Sequence, residues 1–194
     1  MSRLRKYAVA HPNQLLMRAH WAKRTQMSKR SNLRRTIKIP SQYMEAIDIA
    51  NVMFPSLYQL ENGLRLAIQN YLSICYGNDW WDQSLKTQLY KIWEYSDNQQ
   101  KSHASMPWIG ASARVKILPI HLVTLGHLEE IVKKYQSDCI PELFPTLDFF
   151  TGHMGVIKKV RNLYTHMFPC ITKDDCTLAK REIRTLATHI NTRL

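Results

Sequence analysis

The sequence contains no uninterrupted apolar run close to the about eighteen residues that a membrane-spanning helix needs. Its first residues also lack the apolar core of a secretory signal. The four cysteines, Cys75, Cys139, Cys170 and Cys176, stand singly, without a C-x-x-C pair or a histidine at zinc-finger spacing. We therefore expect a soluble, unprocessed protein of the cytoplasm, with reduced thiols and with neither a metal site nor a cofactor.

Acidic residues are missing from the first 44 positions, and the first carboxylate is that of Glu45. The same segment holds eleven basic residues: Arg3, Arg5, Lys6, Arg18, Lys23, Arg24, Lys29, Arg30, Arg34, Arg35 and Lys38. The rest of the chain has the other 16 of the 27 basic residues against 15 acidic ones, so the net charge of +12 lies almost entirely in this segment. Such segments bind phosphates with little regard to sequence. We expect residues 1–44 to form a nucleic-acid-binding arm whose contacts include Lys23, Arg24, Lys29, Arg30, Arg34 and Arg35.

Other roles for this arm stay open. A solubilising tail, a nuclear-import patch around Lys29 and Arg34 or an organelle presequence would have the same charge pattern. Leu15, Leu16 and Trp21 also fit a short amphipathic helix that docks on the rest of the chain.

Strand patterns are nearly absent from residues 45–194, whereas helix signals recur. Pro-Ser pairs at 40–41 and 55–56 predict one helix through Met53 and a second helix that begins at Pro55 and ends at Gly77. The other predicted helices are Asp82 to about Gln100, one beginning near Thr124, Leu147 to about Met167, and one opened by a capping box from Thr172 to Asp175. A loop is predicted around Pro107 and Gly110. The fold class is therefore all-α, a single helical bundle over residues 45–194.

Arg161 and His166 carry the candidate chemistry. Metal-free RNA cleavage needs a group that takes the 2′-hydroxyl proton and a fixed cation for the phosphate, and histidine and arginine suit these two tasks. The spacing alone is weak evidence, because Arg184 and His189 have the same one. Only Arg161 is followed directly by an asparagine, Asn162, which lies on the same helix face as His166 and could orient the imidazole or the phosphate.

The segment Val160-Arg-Asn-Leu-Tyr-Thr-His-Met167 resembles the signature of the HEPN superfamily, an Arg-x4–6-His motif near the end of a long helix in an all-helical bundle. Two further stretches, residues 54–81 and 120–130, are similar to the leading and middle segments of its abortive-infection-like branch. The resemblance extends over residues 54–167.

This resemblance implies a homodimer in which two motifs face each other across a basic cleft and form one metal-independent ribonuclease site. It also implies that His166 acts as general acid or base, Arg161 stabilises transition-state charge and Asn162 positions one of them. Glu61, Arg65 and Tyr164 are secondary cleft candidates, and Lys158 and Lys159 are further candidates for binding RNA. Many members are toxins or defence effectors. Some carry a modifiable tyrosine two places after the histidine, where this chain has Phe168, which leaves room for an antitoxin or defence-system partner that acts by another route.

Each of these residues also has a structural interpretation. Arg161 and His166 could be surface and capping groups at a helix C-terminus, and Glu61 and Arg65 could form an i,i+4 ion pair. Trp80 and Trp81 are expected in the core or a dimer interface. His103, His121, His127 and His153 are expected to be solvated or hydrogen-bonded. Two classes of function therefore remain, an endoribonuclease that leaves 2′,3′-cyclic phosphates and a non-catalytic nucleic-acid-binding or scaffolding module.

Overall fold

The computed structural model describes residues 40–104, 117–166 and 170–191. The chain divides into two compact units, residues 1–44 and 45–194, and the first of them is described only at residues 40–44. In the described ranges the secondary structure is helical, with turns and short irregular segments but no strand, so the all-α class is confirmed. No described helix is both long enough and apolar enough to cross a membrane.

Seven α-helices, one π-helical turn and one 3₁₀ turn make up the described chain. In order these are α1 (Ser41–Tyr76), the π-helical turn (Trp81–Leu85), α2 (Lys86–Gln88), α3 (Tyr90–Ala104), the 3₁₀ turn (Pro119–Leu122), α4 (Leu125–Lys134), α5 (Gln136–Cys139), α6 (Leu147–Thr165) and α7 (Lys173–Asn191).

Helix α1 runs through Pro55, so the prediction of two helices here is wrong. An internal proline removes a hydrogen bond and costs about 3 kcal/mol. Met53, Leu57 and Leu60 keep helical spacing on both sides of Pro55, and all three are buried. Because each such side chain contributes roughly 1.5–3 kcal/mol on burial, one continuous helix that buries the whole stripe outweighs the cost of the proline.

The end of α1 is at Gly77, as predicted. Gly77 has a φ of +83°, and its N–H donates to the Ser73 carbonyl at 3.0 Å. Trp80 and Trp81 follow, both buried and packed edge to face, which places them in the core. The predicted helix from Asp82 to Gln100 is instead interrupted at Leu89, whose φ and ψ of −137° and 54° are not helical, and α3 continues to Ala104.

The later helices begin where their capping residues predict. The Thr124 hydroxyl accepts from the His127 N–H at 3.3 Å, and the Thr146 hydroxyl accepts from the Phe149 N–H at 3.0 Å. At α7 the capping box is complete, because the Thr172 hydroxyl accepts from the Asp175 N–H while the Asp175 carboxylate accepts from the Thr172 N–H, both at 3.1 Å. These starts are confirmed.

One hydrophobic core lies between α1, α4, α6 and α7. Its members include Leu64, Ile68, Leu128, Met154 and Leu186. Helices α6 and α7 pack against each other along their lengths, and Phe149 near the start of α6 contacts His189 near the end of α7, so the two helices run antiparallel. This pairing fixes the end of α6, where the candidate motif lies.

Several predictions concern residues outside the described ranges. They are the arm contacts Lys23, Arg24, Lys29, Arg30, Arg34 and Arg35, the docking helix around Trp21, the loop around Pro107 and Gly110, and the positions Met167 and Phe168. These stay predictions.

Candidate active site

The candidate motif occupies the C-terminal turn of α6. Phe150, Met154, Ile157 and Val160 form the buried face of this helix. One turn further on, the side chains of Asn162, Thr165 and His166 are exposed. The Thr165 hydroxyl donates to the carbonyl of Arg161 at 3.0 Å, which satisfies one of the last acceptors of the helix. The packed first part of α6 therefore anchors a last turn whose polar side chains face solvent.

Arg161, Asn162 and His166 are joined through Asn162. The Arg161 guanidinium donates to the Asn162 amide oxygen at a long distance of 3.5 Å, and the backbone N–H of His166 donates to the Asn162 carbonyl at 3.1 Å. His166 ends the helix, as the capping interpretation expected. The amide predicted to orient the imidazole or the phosphate thus lies beside the guanidinium, while the main chain of Asn162 holds His166.

Tyr164 lies within the motif and belongs to a row of three aromatic rings. Its ring centroid is 6.2 Å from that of Phe54, and the Phe54 centroid is 5.9 Å from that of Tyr58. Tyr164 is partly buried, and this burial raises the pKa of its phenol above the usual value. Tyr58 is 52% exposed. We call Tyr58, Phe54 and Tyr164 the aromatic row.

Glu61 and Arg65 form the ion pair that their spacing predicts, at 2.5 Å. The side chain of Arg65 is only 12% exposed, and its guanidinium also donates to the carbonyls of Ile120 and Val123 at 3.2 and 2.8 Å. A fourth hydrogen bond, at 3.3 Å, goes to the Asn62 amide oxygen. Arg65 therefore connects α1 to the 3₁₀ turn and the residue after it, and its hydrogen-bonding groups are already engaged by protein acceptors.

Lys158 and Lys159 differ in their surroundings. Lys158 forms an ion pair with Glu129, a buried residue of α4 that also pairs with Lys133 at 2.5 Å. Burial acts to raise the pKa of Glu129, but the two ammonium groups outweigh it and lower that pKa. Lys159 is exposed. Of the two predicted phosphate contacts on α6, Lys158 is thus committed to a carboxylate and Lys159 is accessible.

The second Arg-x4-His match lies on α7, in a different setting. The His189 ring packs against Phe149, with centroids 4.9 Å apart. Phe149 also contacts His153, whose Nδ1 meets the carboxylate of buried Glu182. Burial acts to raise the pKa of Glu182, but its contacts with His153 and Arg181 lower it. His189 and His153 thus lie in the packed contact between α6 and α7, whereas His166 stands exposed at a helix end.

An open groove of about 670 Å³ lies between the beginnings of α1 and α7. Two carboxylates and two ammonium groups line it, from Glu45, Asp48, Lys173 and Lys180. Glu45 and Lys173 form an ion pair at 3.3 Å. The motif residues are not among its lining, and its charges largely cancel, so this groove is a poor match for a polyanion.

Within the described ranges, no group of three or more His, Cys, Asp or Glu side chains could hold a metal ion. A scan against protein-family models, a search of curated proteins and a search of solved structures each returned no match. The candidate chemistry lies at the end of α6. There, the partly buried Arg161 side chain and the exposed side chains of Asn162 and His166 lie within about one helical turn.

Two neighbours of the motif, Phe54 and Tyr58, were not identified from the sequence as site residues. They are four positions apart on one helix and therefore share a face. That spacing was a usable signal, but a helix start predicted at Pro55 separated the two residues. Their proximity to Tyr164 depends on how α1 packs on α6 and has no local signal.

Proposed function

We propose that this chain is a HEPN-type, metal-independent endoribonuclease that acts as a toxin or defence effector. The observation that carries the proposal is the exposed end of α6, where Arg161, Asn162 and His166 are held together by the last helical turn. The same spacing on α7 leads to a histidine packed against Phe149. Of the two matches, the one at the end of α6 is therefore better suited to meet a large substrate.

In the proposed reaction an imidazole takes the proton of a ribose 2′-hydroxyl, and the 2′-oxygen attacks the adjacent phosphorus. The bond to the 5′-oxygen breaks, and this oxygen receives a proton as it leaves. The products are a 2′,3′-cyclic phosphate and a 5′-hydroxyl. The Arg161 guanidinium neutralises charge on the non-bridging oxygens in the transition state.

A second copy of the chain completes this scheme. One proton must be taken and another given on opposite sides of the phosphorus, and a single imidazole serves poorly for both within one step. Two copies related by a two-fold axis would bring two His166 side chains to one phosphate. We therefore propose a homodimer with RNA as its substrate.

The alternative function is nucleic-acid binding or scaffolding without turnover. Residues 1–44 carry eleven cations and no carboxylate, which fits this alternative as well as it fits the nuclease. A basic arm supports RNA binding whether or not cleavage follows.

The test is cleavage of RNA by purified protein with EDTA present. We expect cleavage that falls by roughly two to four decades in His166→Ala, through loss of the acid–base group, and steeply in Arg161→Ala. Mass spectrometry should find 2′,3′-cyclic phosphate ends, and light scattering should give a dimer mass.

His189→Ala and Arg184→Ala are the matched controls, because they remove the same two residue types at the same spacing on α7. Both should keep their activity. Loss of cleavage in His189→Ala but not in His166→Ala would move the site to α7. Tight RNA binding without any cleavage would favour the binding module.

A further inference from the structure

The aromatic row begins inside the motif and ends on exposed α1 surface. Tyr164 lies three positions after Arg161 and two before His166, so the row starts at the proposed reaction centre. Tyr58 at its other end is 52% exposed, although its ring centroid is 5.9 Å from that of Phe54. An accessible ring of this kind is able to accept a planar ligand on its face.

Polar amides border the two α1 rings of this row. Asn51 and Asn62 lie on the same helix face as Phe54 and Tyr58, at spacings of three and four positions. The Asn51 side chain is exposed, whereas the Asn62 amide already donates to the Tyr58 carbonyl at 2.8 Å and accepts from Arg65 at 3.3 Å. The nearby carboxylate of Glu61 is paired with Arg65. A π surface with the exposed Asn51 amide at its edge matches a nucleobase, which has two apolar faces and a hydrogen-bonding edge.

The spacing of the rings favours unpaired bases. The centroids are 5.9 and 6.2 Å apart, and the ring planes are tilted by 33° and 50° to one another. Bases within a duplex strand are stacked about 3.4 Å apart and nearly parallel. Bases lying along the row would have to be separated from one another, which single-stranded RNA allows and a duplex resists.

We propose that the aromatic row binds unpaired bases of single-stranded RNA and directs the adjoining phosphate to Arg161 and His166. This inference rests on the proposed function for the position of the scissile bond, although the base-binding surface itself does not require cleavage. Tyr58 provides the outermost stacking surface, and Phe54 and Tyr164 continue it towards the motif.

Tyr90 offers a matched control on the surface of α3. It has the same exposed fraction, 52%, and its ring is also 5.9 Å from an aromatic neighbour, Trp93. Its hydroxyl, however, donates to the Glu94 carboxylate at 3.2 Å, and a negative charge at this point disfavours a nucleic acid. Tyr58→Ala and Tyr90→Ala each remove a tyrosine ring, and the two tyrosines are equally exposed, so the two variants can be compared directly.

The experiment measures RNA affinity in full-length protein carrying His166→Ala, which leaves the probe uncut. The probes are an unstructured oligoribonucleotide with one 2-aminopurine base and the duplex of the same sequence. High salt suppresses binding by the basic residues 1–44. We expect Tyr58→Ala to weaken single-strand binding roughly tenfold and to reduce the quenching of 2-aminopurine. Tyr58→Trp should retain the affinity and the quenching of the parent, and so should Tyr90→Ala. The duplex should bind weakly to all of these proteins.

Equal affinity in Tyr58→Ala and Tyr90→Ala, with thermal melts showing both folded, would overturn the proposal, as would a parent that binds no single strand. A Tyr58→Ala protein that changes from dimer to monomer with unaltered RNA affinity would also overturn it and make the row a subunit contact. Cleavage by protein with intact His166 is scored separately. If the protein cleaves RNA but Tyr58→Ala binds single strands as tightly as the parent, only the base-binding proposal is rejected. If Tyr58→Ala weakens binding but the protein does not cleave RNA, only the nuclease proposal is rejected.

Discussion

Arg65 is held by more contacts than any other described cation. Its guanidinium meets one carboxylate, one amide oxygen and two main-chain carbonyls that are 55 and 58 positions away in the chain. Buried carbonyls without a donor cost free energy, and charged donors satisfy them strongly. The residue is therefore a structural connection between α1 and the segment that precedes α4, although the family resemblance made it a cleft candidate.

Arg65→Lys should lower the free energy of unfolding by about 1–3 kcal/mol, because an ammonium group keeps the charge but cannot serve all four acceptors in the geometry of the guanidinium fork. Chemical denaturation of the variant measures this change.

The control is Lys101→Gln. Lys101 and Asp97 also form an i,i+4 ion pair, at 2.6 Å, but the side chain of Lys101 is 71% exposed. Exposed pairs of this type contribute little to stability. Its denaturation midpoint should be unchanged. If Arg65→Lys had the same free energy of unfolding as the parent but no longer cleaved RNA, Arg65 would be a substrate contact and not a structural residue.

At the scale of the helices, local hydrogen bonds determine where a helix begins, whereas the packing of its buried side chains determines how long it continues. Thr124, Thr146 and Thr172 each cap a helix through a side-chain hydrogen bond to a residue three positions on. No such local rule governs the continuity of α1 through Pro55, which the stripe of buried side chains maintains. The break at Leu89 likewise has no local signal, because neither a proline nor a glycine adjoins it.

The end of α1 gives an element-scale prediction. Gly77→Ala should lower the free energy of unfolding by about 1 kcal/mol, because alanine is strained at a φ of +83°. A Cβ at this position would meet no atom within 4 Å, so the cost comes from the main chain alone.

Gly152→Ala tests the same substitution within α6. A Cβ there would also meet nothing within 4 Å, and Gly152 has no positive φ. Alanine should therefore raise the free energy of unfolding by roughly 0.5–1 kcal/mol, through its higher helix propensity. If the melting temperature changed in the same direction in Gly77→Ala and Gly152→Ala, the positive φ of Gly77 would not be what ends α1.

At the scale of the whole molecule, charge is divided unevenly. Residues 1–44 carry eleven cations and no carboxylate, while the rest of the chain is nearly neutral. Because α1 begins at Ser41, removal of residues 1–39 takes away all eleven cations and leaves this helix complete. The two expectations for the segment, phosphate binding and docking, can therefore be separated in one truncation.

Removal of residues 1–39 should flatten the salt dependence of single-stranded RNA binding. If about five of the cations contact phosphates, the full chain should show a log–log slope near −3 to −4, through counterion release. Titrations at several salt concentrations measure this slope for each protein, and thermal melts accompany them.

A chain with residues 1–39 in scrambled order is the control, because it keeps the charge and loses the apolar pattern around Trp21. Under phosphate binding, the scrambled chain should keep the slope of the parent. Under docking, scrambling and removal should both lower the melting temperature. An unchanged slope after removal, with a lowered melting temperature, would reject the phosphate-binding arm.

The sequence by itself determined the all-α class, the starts of α4, α6 and α7, the end of α1 and the Glu61–Arg65 ion pair. Each of these depends on residues within about four positions of one another, through capping hydrogen bonds, a positive φ or the helical repeat.

Only the tertiary structure decided that Pro55 lies inside a helix, that Arg65 serves carbonyls beyond α1 and that Lys158 is committed to Glu129. It also brought Phe54 and Tyr58 next to Tyr164, and packed His189 against Phe149 while His166 stayed exposed. These outcomes depend on partners more than twenty positions away, or on burial summed along a whole helix. Which helices become neighbours is chosen by the total apolar surface that they bury together, and no short segment of sequence contains that quantity.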